Sequence, residues 1–403
     1  MKSTEVCIVG GGLVGLAAAL AFSRQGRSVC LLEARDPALQ EPAQMDARSI
    51  ALSLSTVQIF NALNLWPQMS SQTAAIQHVH VSSAGHFGVT RLHASDLQRE
   101  ALGHVIEYHV LLGYLLDAVS RDSAIEFIVP AQLLDLQQDE NKVTLSYQHN
   151  KKPCQLETAL LVVADGAQSS IRDMLGIAAH VEDYRQTAVV ANVKTSQAFN
   201  GYAYERFTSD GPLALLPLPD QRYAMVWSNA PQRTEQLMQL SDRLFIEQIY
   251  ASFGYRLGYF SEVGQRVQFG LKRTRSEQLT CGRCVLIGNA ANTLHPVAGQ
   301  GFNLALRDVG QLYDAVDSFD LASTELNGRL VDYASGRKKD QQRTVQLGDG
   351  LVRLFSNDLP LLNHLRAGAL AALDVCPLLK QEFSWQGMGF GSGYSSLLRG
   401  VAR

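Results

Sequence analysis

Charge of one sign, cysteine and long apolar runs are all scarce in this sequence. Its 35 basic and 38 acidic side chains leave a formal charge of −3 over 403 residues, so no net field gathers nucleic acid. Six scattered cysteines do not make a disulfide framework and fit reduced thiols. No stretch reaches the roughly 18 to 20 uninterrupted apolar residues of a membrane span. The apolar N-terminal stretch is interrupted by glycines and carries the acidic Glu5, which argues for folded structure rather than a signal peptide. A cytoplasmic enzyme is the simplest expectation, with small molecules, proteins or a membrane surface as partners. Apolar residues are plentiful: 46% of the chain is hydrophobic and 18% charged, enough for two or three packed layers and too apolar for disorder.

The chain opens with Val6-Cys7-Ile8-Val9, then Gly10-Gly11-Gly12-Leu13-Val14-Gly15, then the small apolar run Leu16 to Ala21. A buried strand, a tight turn and a close-packed helix are the context that a G-x-G-x-x-G dinucleotide fingerprint requires. Gly10 would make the turn, Gly12 admit a pyrophosphate to the backbone, and Gly15 let the helix sit on the strand. A second apolar run, Ser28 to Leu32, ends at Glu33, where an acid suits an unphosphorylated ribose and so FAD or NAD rather than NADP.

Two further blocks bear on that choice. Leu161-Val162-Val163-Ala164-Asp165-Gly166 suggests a strand ending in an acidic glycine turn, whose Asp165 could bind a sugar hydroxyl or a loop amide. Later, Val285-Leu286-Ile287 leads into Gly288-Asn289-Ala290-Ala291-Asn292-Thr293-Leu294-His295-Pro296-Val297-Ala298-Gly299-Gln300-Gly301-Phe302-Asn303. A helix expected near Asn303 would point its positive end at a flat anionic ligand. Reduced isoalloxazine carries negative charge near N1 and O2, and glycines at 299 and 301 leave room for its ring.

With all three blocks, the chain resembles the single-component flavoprotein aromatic hydroxylases built like para-hydroxybenzoate hydroxylase. The resemblance extends to Asp46-Ala47-Arg48-Ser49-Ile50-Ala51-Leu52 and to Tyr333-Ala334-Ser335-Gly336-Arg337-Lys338-Lys339-Asp340. Tyr204-Glu205-Arg206-Phe207-Thr208-Ser209-Asp210-Gly211-Pro212-Leu213-Ala214-Leu215-Leu216-Pro217 is similar to the substrate-domain signature of the ubiquinone-biosynthesis branch, in particular the hydroxylases of 2-polyprenyl-6-methoxyphenol. Asn289 and Asn292 stand where the family has aspartate and histidine; an amide still donates and accepts, so FAD binding should persist.

The resemblance implies an α/β fold: a Rossmann-like FAD domain interleaved with a mixed or antiparallel substrate sheet, plus C-terminal helices. It implies FAD at Gly10, Gly12, Gly15, Glu33, Arg48, Asp165, Gly288, Asn289, Gly299, Gln300, Gly301 and Asn303. Reduced flavin and O2 would form a C4a-hydroperoxide that gives its distal oxygen to a polyprenylated phenol. The product expected from 2-polyprenyl-6-methoxyphenol is 2-polyprenyl-6-methoxy-1,4-benzoquinol. His295, Pro296, Gly299 and Gln300 are the expected catalytic set, with Leu215, Leu216, Pro217 and the His295-Pro296 pair as a ceiling over the substrate ring. The absence of a second fingerprint means that NAD(P)H docks transiently or that another protein delivers electrons. Other ubiquinone-biosynthesis proteins are candidate partners.

The FAD domain is expected over 1–75, 104–180 and 267–345, the substrate domain over 76–103 and 181–266, and a helical region over 346–403. Alternating runs such as Ala188 to Val193 and Tyr223 to Trp227 fit half-buried strands. Beyond Val345, apolar spacing through Leu351, Val352, Leu354, Phe355 and Leu361 to Leu373 fits a packed helix. The alternative is a surface element at the inner membrane, with Arg353 and Arg366 beside the apolar residues. The glycine-rich tail from Gly387 to Gly393 is expected to be mobile or a loose cap.

Cys281-Gly282-Arg283-Cys284 lacks the second ligand pair of a zinc site and the setting of a redox motif, so a turn is expected. His78 and His80 share a strand face but lack a carboxylate partner for a metal, and no metal site is expected. A soluble aromatic-acid hydroxylase remains open, although no cationic clamp for a carboxylate is evident. A halogenase would carry a W-x-W motif, and Trp66, Trp227 and Trp385 are isolated. A non-catalytic FAD-bound scaffold is the alternative of a different class.

Overall fold

Alternation along the first strand, Lys2–Val9, decides how the larger part of the molecule is layered. Val6 and Ile8 feed one apolar core and Cys7 and Val9 the other, as period-two side chains on a sheet covered on both faces must. The computed structural model describes residues 2–36, 48–85, 89–296, 299–355, 374–390 and 395–399. Asp46, Ala47, Val297, Ala298, the stretch from Leu361 to Leu373 with Arg366, and the tail residues Gly391 and Gly393 lie outside the described residues, as do the side chains of residues 351–355.

In this first sheet, Lys2–Val9 lies between the parallel strands Lys152–Val163 and Val29–Leu32. Ile125–Ile128 extends one side in parallel and Cys284–Leu286 the other. Ala131–Gln138 and Val143–His149 form an antiparallel extension. The helix Leu13–Arg24 packs on the opening strand through alanines and leucines, residues that are strong helix formers and small enough for close approach. This is the Rossmann-like layer.

The second large sheet has nine strands. One face packs Leu213, Leu215, Met225 and Trp227 against the helix Asp242–Phe253. Its other face carries Ala203, Leu218 and Ala224 toward Ile76 and Val105, which belong to a three-stranded sheet of Ser49–Ser53, Gly103–Glu107 and Ala74–Ile76. Glu107 fastens the two sheets with a two-pronged ion pair to Arg222, at 3.0 and 3.1 Å.

Segments expected in the FAD domain join the nine-stranded sheet, Asn292–Thr293 among them. Residues 267–276 belong to the nine-stranded sheet, because Val267–Ser276 pairs antiparallel with Ala179–Thr195 from Val190↔Val267 to Ala179↔Ser276. Lys272, Arg273 and Arg275 break the apolar alternation there, so the sequence hides the strand.

The helix Gln300–Val316 runs beneath the first layer, and Leu326–Phe355 packs on it. Between them lies a buried network: Arg307 meets Asp340 at 3.0 Å and Arg337 meets Asp308 at 2.6 Å. Each charge is nearly solvent-free yet paired, the condition under which a buried ion is tolerated.

The C-x-x-C segment is a hairpin in which Cys281 pairs with Cys284. Its Arg283, 0% exposed, donates to the carbonyls of Glu140, Ala159, Leu321 and Ser323. The motif is thus a structural lock. No cluster of metal-ligating side chains occurs among the described residues.

Candidate active site

At the fingerprint, backbone crowding explains two of the three glycines. A Cβ on Gly10, whose φ is +113°, would lie 2.3 Å from the Ala164 carbonyl oxygen. One on Gly15 would lie 1.8 Å from the Gly10 oxygen, and both neighbours are backbone that cannot swing away. Gly12 has nothing within 4 Å of its would-be Cβ; it faces open space at the helix N-terminus, where a pyrophosphate would come. Glu33 follows the second strand; its carboxylate accepts from the Gly11 and Arg35 amides. Each carboxylate oxygen retains a further acceptor site for a ribose hydroxyl.

Asp165 stands at the end of the strand Lys152–Val163. One carboxylate oxygen accepts from the Ile171 amide at 3.4 Å, and the other is buried without a partner. Burial raises its pKa above the usual aspartate value, a penalty that a ligand hydroxyl would relieve. The adjoining turn contains Gly288 at φ +60° and an exposed Asn289. In the same turn the buried Asn292 amide nitrogen lacks a partner.

The helix Gln300–Val316 starts three residues earlier than expected. Its N-cap is Gly299 in the left-handed region, φ 58° and ψ 30°, and no side chain caps it. A Cβ on Gly301 would meet nothing within 4 Å, so the helix offers an open, positive end. Unpaired polar atoms at Asp165 and Asn292, the open glycines and this helix end fit an FAD. Gly10 to Gly15 would hold its pyrophosphate, Glu33 and Asp165 its hydroxyls, Gly288 and Asn289 its ribityl chain, and Gly299 to Gly301 its ring. Arg48 lies over the rings of Tyr108 and Phe269, at 4.6 and 5.4 Å.

Asn303 has a different task from the one expected of a cofactor ligand. Its carbonyl accepts from the Ser53 amide and the Thr56 hydroxyl, and its amide donates to the Ala51 and Gly299 carbonyls, at 2.7 to 2.8 Å. Together they tie the Gly299 loop to the strand Ser49–Ser53 and the helix Leu54–Ala62 that follows it, so Asn303 shapes the loop from below.

Beside that loop lies a cavity of about 190 Å³. Pro296, Gly299 and Gln300 form one side, Val79, Val81, Ala214, Leu216 and Val226 of the nine-stranded sheet another, and Phe383 and Met388 of the C-terminal segment a third. Among the described residues no Lys, Arg or His lines it, and Glu205 is the one carboxyl. Burial pushes that carboxyl up to about 7.

Three expectations are corrected. Leu215 does not roof this cavity: it is 0% exposed in the core on the opposite face of the sheet. Alternation gives the roof to Ala214 and Leu216 and turns Pro217 away with Leu215. His295 also stays out of the cavity wall; its Nε2 meets the Gln186 amide oxygen at 3.1 Å and its ring stands edge-on to Tyr184. Burial depresses it to about 4, so it is neutral at ordinary pH. The tail at 387–390 is no loose cap: Met388 is 2% exposed, its carbonyl accepts from the Ser55 amide at 3.1 Å, and the Gly387 carbonyl accepts from Gln300 at 3.2 Å.

Sequence reasoning missed Glu205, the C-terminal lining and the contributions of Ile76 to Leu102. The available signal for Glu205 was an acid inside a strand that otherwise reads as apolar and aromatic.

Comparison with known proteins agrees with this geometry. Residues 3–346 match the family described as FAD binding domain. Ubiquinone hydroxylase UbiL of Rhodospirillum rubrum is 30% identical, with 99% of this chain and 94% of that protein aligned. The 3-demethoxyubiquinol 3-hydroxylase of Escherichia coli is also 30% identical, over 94% of this chain and 97% of that protein. The p-nitrophenol 4-monooxygenase PnpA of Pseudomonas putida shares the fold with a TM-score of 0.80 at 16% identity, covering 98% of this chain and 100% of its own. The chain belongs to the FAD-dependent aromatic hydroxylases, in the branch that holds the ubiquinone-biosynthesis enzymes.

Proposed function

We propose that this monooxygenase hydroxylates the ring of a polyprenylated phenol in ubiquinone biosynthesis, converting 2-polyprenyl-6-methoxyphenol to 2-polyprenyl-6-methoxy-1,4-benzoquinol. The observation that carries this reading is the cavity wall: mostly apolar, with one carboxyl and no cation among the described residues. A benzoate substrate would bury its carboxylate there unpaired, at a cost of several kcal/mol; a neutral prenylated phenol pays none. At about 190 Å³ the space exceeds the roughly 150 Å³ that takes up a benzene ring. It suits one substituted ring, and the rest of a long tail would extend beyond it.

Bound FAD supplies the redox chemistry, using O2 and electrons from NAD(P)H or a partner protein. The chain's part is to orient and to exclude water. Asn303 fixes the Gly299 loop, Leu216 and Val226 cover the substrate ring, and Met388 closes the tail side. Such a dry, fixed pocket protects a reactive oxygen donor from side reactions with water.

A tail of this kind implies delivery from a lipid surface. Val375, Leu378 and Leu379 are 54 to 77% exposed near Phe383 of the cavity wall, which supports peripheral contact with a membrane. No helix among the described residues is long and apolar enough to cross one.

The test is mass spectrometry of quinone-pathway lipids in cells lacking this gene. Accumulated polyprenyl-methoxyphenol supports the stated step. A less hydroxylated polyprenylphenol would move the reaction to another ring carbon, and unchanged ubiquinone without an intermediate would overturn the reading.

A further inference from the structure

Glu205 is an anomaly in the cavity. It sits mid-strand in Tyr202–Phe207, between Val81 on one neighbouring strand and Ala214 on the other. Its backbone is held by the sheet, yet its side chain makes no hydrogen bond or ion pair among the described residues. The residue is half-buried and lines the cavity. An unpaired carboxyl in an apolar chamber costs stability, and nothing in the fold uses it.

Among the described residues, the other side chains that line the cavity with it are uncharged. Val81, Ala214 and Val226 come from the sheet, Pro296 and Gln300 from the loop, and Phe383 from the C-terminal helix Pro377–Gly387. The charged neighbour on its own strand, Arg206, turns to the other side and donates to the Ser252 carbonyl and the Ser82 hydroxyl. Among the described residues no group satisfies Glu205, which leaves that role to a ligand.

We propose that Glu205 receives the ring hydroxyl of the phenol and accepts its proton, an assignment that rests on the function proposed above. In the step, the phenol O–H bond breaks as a carboxyl O–H bond forms, and the electron pair left on oxygen is shared with the ortho and para carbons. That makes those carbons more nucleophilic toward the oxygen donor. Once the new C–O bond has formed, the oxygenated carbon loses its hydrogen as a proton, the ring regains aromaticity, and Glu205 returns its proton to the ring oxygen. The two reducing electrons come from the reductant of the established monooxygenase reaction, and the second atom of O2 leaves as water. Glu205 therefore also sets specificity: it favours a free ring hydroxyl over an ether and repels a second carboxylate.

The test uses full-length FAD-loaded protein, wild type and the variants Glu205→Gln and Glu205→Leu, with 2-prenyl-6-methoxyphenol and its O-methyl ether as probes. Binding is read from the flavin spectrum and hydroxylation from product chromatography across pH. The wild type is expected to prefer the phenol about tenfold, the worth of a hydrogen bond to a charged group. Its kcat should rise with pH through about 7. Gln can still accept a hydrogen bond but cannot take the proton. It should keep a preference of a few-fold, lose about a hundredfold in kcat and lose the pH rise, while Leu loses the preference as well. Retained flavin binding in the Gln variant shows that the fold is intact. Hydroxylation by both variants with the wild-type preference and pH profile would overturn the role of Glu205 alone. A wild type that hydroxylates 4-hydroxybenzoate and ignores the prenylated phenol would overturn the underlying function, and this assignment with it.

Discussion

The fingerprint and the substrate cavity solve opposite problems, and they do so with different parts of the chain. At the fingerprint the ligand would be met by backbone, and what matters is the absence of side chains: Gly10 and Gly15 sit where a Cβ would strike a carbonyl oxygen. At the cavity, side chains brought from well-separated segments make the wall, and one of them, Glu205, is left unsatisfied. At Gly10 and Gly15 the first region leaves no room for a side chain. The second tolerates many, and its choice of residues determines which ring enters.

The contrast predicts a ranking of effects. Gly15→Ala should be the most damaging, since its Cβ would collide with the Gly10 oxygen at 1.8 Å. A loss above about 4 kcal/mol, the exceptional range for a single change, should show in chemical denaturation, together with loss of flavin. Leu215→Ala comes next, at about 2 to 5 kcal/mol for a fully buried leucine. Leu216→Ala on the same strand sharpens the point: it should cost less stability and instead raise KM for a prenylated phenol.

Asn303→Leu should cost about 2 to 4 kcal/mol, because it strips the Ser53 and Gly299 sides of their hydrogen bonds at once. It should also weaken flavin binding without removing a flavin contact.

Glu205→Gln should run the other way. A carboxyl raised from 4.5 to about 7 is held more tightly protonated in the folded state, so it costs nothing below about 4.5 and its full penalty above about 7. The variant should therefore be more stable than wild type at pH 8, on the order of 1 kcal/mol once the solvent reaching the cavity is allowed for. At pH 4 the two should melt together. Smallest of all, Cys281→Ser should stay within about 0.5 kcal/mol, because the hairpin lock is made by Arg283.

The same contrast explains what the sequence revealed. Glycines excluded by crowding recur at fixed spacing, so Gly10, Gly15 and the first layer were visible, as were the strands that alternate cleanly. The roof of the cavity was not, because choosing Leu216 over Leu215 requires knowing which face of the sheet is turned inward, and a one-residue error reverses it. His295 carried an inviting chemistry but was claimed by Gln186 and Tyr184. Asn303 was expected as a cofactor ligand, and three of the four partners that give it its structural task lie 247 to 252 residues away, beyond any local pattern. Met388 reaches the cavity only through the closing of the chain, and a glycine-rich tail gives no hint of that.

Whether the cavity selects a neutral prenylated phenol is measured by product-coupled oxygen uptake by the FAD-loaded protein, comparing 2-prenyl-6-methoxyphenol with 4-hydroxybenzoate. Uptake and a hydroxylated ring are expected with the neutral prenylated phenol, and none above background with the benzoate. Preferred hydroxylation of 4-hydroxybenzoate would contradict that selection.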